Sequence, residues 1–70
     1  MILKTFKNEE KSAVISINKE VLSCTFYEND KHIGEIEYPN NSYCYVEDAA
    51  ENWIIGVMTR ETIHEYKKVA

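Results

Sequence analysis

Glu35 and Glu37 stand two residues apart in a run that alternates like a strand, so both carboxylates fall on one face. Such a pair is the raw material of acid–base catalysis. A chain of 70 residues has scarcely any volume for a pocket around it. The thiols offer less. Cys24 alternates with Leu22 and Phe26, which marks it as a small buried hydrophobe. Cys44 has no Lys, Arg or His close by in the chain to favour its thiolate. His32 and His64 are isolated, and the interval from Cys24 to Cys44 fits no zinc motif. No Ser, His and Asp fall in a recognisable catalytic context. Two glycines cannot build a phosphate-binding loop. The residues therefore predict no enzyme, no metal site and no cofactor.

The chemistry that remains is electrostatic. Between Glu28 and Glu51 lie seven acids (Glu28, Asp30, Glu35, Glu37, Glu47, Asp48, Glu51) and one base, Lys31, for a net charge of -6. The flanking segments each carry +1, which gives the chain its -4. An acidic surface repels nucleic acid and favours a basic partner. The bases are scattered among acids rather than striped, which also argues against direct binding of DNA or RNA. Tyr43 and Tyr45 lie within the acidic stretch, and tyrosine supplies interface area at low entropic cost. The candidate partner-binding residues are Glu35, Glu37, Tyr43, Tyr45, Glu47, Asp48 and Glu51. Glu47 and Glu51 repel each other across one helical turn. Solvation alone does not call for that pair, although a helix dipole favours acids near its N-terminus. Tyr38 and Trp53 read as core residues, Trp53 at the centre of the helix's apolar stripe.

These side chains need elements to hold them. Ala13, Ile15 and Ile17 alternate with Ser12, Val14 and Ser16; Leu22, Cys24 and Phe26 alternate with Ser23, Thr25 and Tyr27. Period two with β-branched and aromatic residues predicts half-buried strands. Asn18-Lys19-Glu20 and Glu28-Asn29-Asp30-Lys31 separate the runs at hairpin length. A third run, His32 to Tyr38, sets Ile36 and Tyr38 against Glu35 and Glu37. Ile33 falls out of phase with Ile36, which a bulge at Gly34 reconciles. Residues 2–7 add a further strand with Leu3 or Phe6 inward. Pro39-Asn40-Asn41 makes a turn. Residues 42–46 fit either a short strand, with Tyr43 and Tyr45 on one side, or the lead into a helix. Val46, Ala49, Ala50, Trp53, Ile54 and Val57 form one helical stripe, with Gly56 weakening its end. Ile63 and Tyr66 leave that phase. Residues 59–68 read as a second short helix capped by Thr59, or as a last strand.

The expected fold is α+β: an antiparallel sheet of three to five strands covered by one main helix, in a single domain over 1–70. So small a core contributes little net stability, which brings in oligomerisation, such as a homodimer, or a tightly held partner. No apolar segment is long enough to span a membrane, no signal peptide is visible, and two thiols without an export signal point to the cytoplasm.

Two resemblances add to this. The succession of strands, Tyr38-Pro39 and the helix start Glu47-Asp48-Ala49-Ala50-Glu51-Asn52 resembles the HicB-type antitoxin core over roughly residues 12–55. Asn40-Asn41-Ser42-Tyr43 stands here where that family has a longer glycine-containing loop. In type, a short acidic chain rich in Lys, Asn, Ile and Glu resembles the small early proteins of large lytic bacteriophages. Many of those inhibit a host enzyme or defence system by binding it. That likeness implies an inhibitor occupying a basic, nucleic-acid-handling site on a host or defence protein.

Overall fold

The computed structural model describes residues 1–63. Four strands follow one another: β1 (Ile2–Asn8), β2 (Lys11–Asn18), β3 (Val21–Glu28) and β4 (Lys31–Tyr38). They form an antiparallel sheet in the order β1-β2-β3-β4, and helix α1 (Tyr43–Ile54) follows. The α+β expectation holds, with four strands. A second helix opens at residues 60–63, so the strand alternative for 59–68 gives way where the chain is described. Tyr66 and the rest of that segment lie outside the described residues.

Two-residue turns join the strands. Lys19 and Glu20 have φ of 54 and 67, and Asn29 and Asp30 have 54 and 63. Left-handed backbone at both central positions is the type I′ geometry, whose twist matches that of the strands. Neither turn contains glycine. Glu9 is also left-handed, at φ 56.

Register sorts the side chains by face. Lys4, Ile15, Cys24 and Ile36 lie in one row across all four strands, and Phe6, Ala13, Phe26 and Gly34 lie in the next. These rows face the helix. The opposite face carries Thr5, Val14, Thr25 and Glu35 in one row and Lys7, Ser12, Tyr27 and His32 in another. Phe6 is the inward residue of β1, whereas Leu3 is an extra residue at a bulge and remains 40% exposed. The bulge in β4 is present one residue from its expected place. Gly34 pairs with Phe26 and His32 with Tyr27, which leaves Ile33 as the unpaired residue.

The helix buries Val46, Ala50 and Trp53 against Ile15, Phe26 and Ile36. Trp53 is the largest wholly buried side chain. It meets Phe26 edge-on at 5.5 Å and its indole N–H donates to the Tyr27 carbonyl at 3.0 Å. The Lys11 ammonium lies over its ring at 4.6 Å. Residues 42–46 are the start of the helix: Ser42 is its N-cap, with Oγ accepting from the Tyr45 amide at 3.4 Å. The stripe stops before Val57, which is 67% exposed. Gly56, at φ 87, turns the chain just past the helix, the usual αL stop. At the same end the Asn8 amide donates to the Ile54 carbonyl at 3.1 Å. Ile63 is buried in the same core, which explains its departure from the first helix's phase.

Candidate functional site: the acidic surface

The acidic stretch wraps around the molecule instead of forming one patch. Glu35 and Glu37 project from the open face of β4, away from the helix. Both are exposed. Asp48 projects from the opposite layer, on the side of α1 that leans toward β4. Tyr45 lies beside it, half exposed, with its ring edge-on to Tyr38 at 5.8 Å.

Tyr43, Glu47 and Glu51 lie on the other side of α1, toward β1. Because 42–46 is helical, Tyr43 and Tyr45 do not share a face as they would in a strand. Lys4 accounts for the like-charged pair. Its ammonium bonds Glu47 Oε2 at 3.1 Å, and both Glu47 and Glu51 hold its pKa above the ordinary lysine value. The hydrogen bond to Glu47 is the leading cause, followed by the charge of that same carboxylate. Sequence spacing could not show this, since the two residues stand 43 apart in the chain. The helix dipole does not explain these acids, because the first turn carries none.

Among the described residues, Glu28 is also paired, with Arg60 at 3.0 Å. Glu35, Glu37, Asp48 and Glu51 make no ion pair there. Three of these four flank β4.

Between α1 and β4 runs a groove of about 440 Å³. Ile36 and Tyr38 floor it, Tyr45, Ala49 and Asn52 wall it, and Met58 closes one end. The helix lies over β2 and β3 and reaches β1, so the groove opens beside it toward β4, where Ile36 and Tyr38 are themselves buried. No local pattern in the sequence marks this groove, which depends on where the helix crosses the sheet.

The thiols behave as their surroundings dictate. Cys24 is buried in the core, which pushes its pKa up to about 12. Cys44 is exposed on the helix. Among the described residues no group of three or more His, Cys, Asp or Glu side chains is placed to hold a metal ion. His64 lies outside them. No described helix is long and apolar enough to cross a membrane.

No protein-family model matches this chain, and no curated protein or solved structure does either. The likeness to HicB-type antitoxins therefore rests on the residues quoted for it, and that to phage early proteins on composition alone.

Proposed function

We propose that this protein is a non-enzymatic binding module that occupies a basic surface of another protein, in the manner of an inhibitor of a nucleic-acid-handling factor. The supporting observation is the distribution of unpaired charge. Glu35, Glu37 and Asp48 are exposed, have no ion-pair partner among the described residues, and flank the same strand beside an apolar groove. Charge of one sign around an apolar contact surface steers a partner of opposite sign and selects against others. The candidate contact therefore narrows to Glu35, Glu37, Tyr45 and Asp48. Glu47 and Glu51 become its periphery, since Lys4 already answers their charge, and Tyr43 lies with them on the side of the helix toward β1.

The test is capture from lysate at low and moderate salt, with the wild-type chain beside a Glu35→Lys, Glu37→Lys, Asp48→Lys variant. A partner retained by the wild type, weakened by salt and lost by the variant supports the reading. A complex indifferent to both salt and charge reversal excludes it.

Self-association is a second reading. Met1 and Ile2 are exposed apolar residues at an open sheet edge. Sedimentation across a range of concentrations decides it: a monomer at high micromolar concentration removes this reading.

A further inference from the structure

Resting on the reading that a basic protein segment is bound, we infer that this segment enters as an added β-strand along the outer edge of β4. Its side chains would alternate between apolar and basic.

The backbone provides the first argument. β4 is the last strand of the sheet, and residues 31–37 form no backbone hydrogen bond on the side away from β3 among the described residues. From Gly34 to Tyr38 the pairing with β3 is regular, so this part of the edge is straight enough to template another strand.

The side chains provide the second. An added strand extends the existing rows, with directly opposed residues about 4.5–5.5 Å apart. Positions next to Glu35 and Glu37 continue the open face and suit Lys or Arg. Positions next to Ile36 continue the helix-facing layer and enter the groove by Tyr45, Ala49 and Met58, where apolar side chains are suited. Asp48 adds negative charge at the groove wall. Lys31, the base of this strand, lies beyond the bulge and opposite Glu28.

The other edge provides the third. β1 is interrupted by the bulge at Leu3, carries Lys4 and Lys7, and ties its terminal amine to the Ile17 carbonyl at 3.0 Å. Bulges and lysines are the usual means of closing an edge to further pairing. β4 carries Glu35 and Glu37 whereas β1 carries Lys4 and Lys7, so the edge left for pairing is the acidic one.

The probe is a capped ten-residue peptide alternating valine and lysine, with a block peptide of the same composition as control. Fluorescence anisotropy measures binding to the full chain, and hydrogen exchange reads the amides of residues 34–37. The alternating peptide should bind at least tenfold tighter than the block peptide and slow exchange at those amides. Two further versions carry N-methyl groups on the valines or on the lysines. At least one should lose tenfold or more, because one alternate set of N–H groups must face β4. A Glu35→Lys, Glu37→Lys variant should reject the lysine peptide and accept one alternating valine with glutamate.

Equal binding of alternating and block peptides, or full binding of both methylated forms, overturns strand addition while leaving the acidic-surface reading in place. Failure of every peptide, together with a charge-dependent partner captured from lysate, does the same. Concentration-dependent self-association of the protein alone, as a closed dimer joining β4 to β4 or as chains joining β4 to β1, would make a second copy the occupant and also overturn it.

Discussion

At β1 the sheet ends in a bulge at Leu3, two lysines and a terminal amine bonded back to β2. At β4 it ends in regular residues with Glu35 and Glu37 on one face and a groove on the other. The helix enforces the same contrast. Toward β1 its acids meet Lys4, and its C-terminus is held by Asn8. Toward β4 its Asp48 has no cation among the described residues, and a groove runs beside the helix. Among the described residues, one side of this small domain completes its own interactions, and the other brings unpaired acids, a strand edge and a groove together. A net charge of -4 would not have revealed that asymmetry, because only the pairing of individual acids does.

Four experiments would break or sharpen the contrast. The bluntest removes what supports both sides. Trp53→Ala should cost about 3–5 kcal/mol, comparable with the whole stability of so small a domain. Circular dichroism should find the variant unfolded, and a folded variant would mean that the helix is not held by this residue.

Cys24 lies within the row that links Lys4 at one edge to Ile36 at the other. Its thiol is shifted from 9.0 to about 12 by burial. Between those values the unfolded chain loses the proton while the folded chain keeps it. Stability is therefore unaffected below pH 9 and falls above it, by roughly 1.4 kcal/mol per pH unit. Alkaline denaturant melts should show this slope in the wild type and lack it in Cys24→Ala. In the native protein at pH 8, mass spectrometry should find a thiol reagent on Cys44 before Cys24.

The third experiment divides the acids by side. Reversing Glu35 and Glu37 should weaken a bound basic partner at least tenfold, about 1.4 kcal/mol, with little change in melting temperature. Reversing Glu51 should do much less. Titration calorimetry giving equal losses for both would erase the distinction between the two sides. The smallest effect belongs to the Lys4–Glu47 pair, whose side chains are 50% and 30% exposed. A double-mutant cycle should give only a small coupling, and one that declines with salt.

Much of this architecture was legible because β2 and β3 alternate cleanly, β4 does so past Ile33, and the turns have the shortest hairpin length. Ile33 announced a bulge by falling out of phase. Trp53 announced the core by standing mid-stripe. Two things were hidden for physical reasons. Ser42 caps a helix from within a run that also alternates, so local pattern could not separate strand from helix over residues 42–46. Charge compensation between Lys4 and Glu47 depends on β1 lying beside α1, a tertiary fact with no local trace. The split of the candidate site follows from both. Tyr43 and Tyr45 diverge because the segment is helical, and the helix acids divide because, among the described residues, one of its sides faces Lys4 and the other faces no lysine.

The chain order has a consequence for synthesis. All four strands precede the helix that covers them. A ribosome therefore delivers the sheet through Tyr38 while its apolar face, with Ile15, Phe26 and Ile36, has nothing to cover it. Any state in which the strands have paired before the helix docks therefore presents an oily face and an open edge together, and that state is the one most exposed to aggregation or to a chaperone.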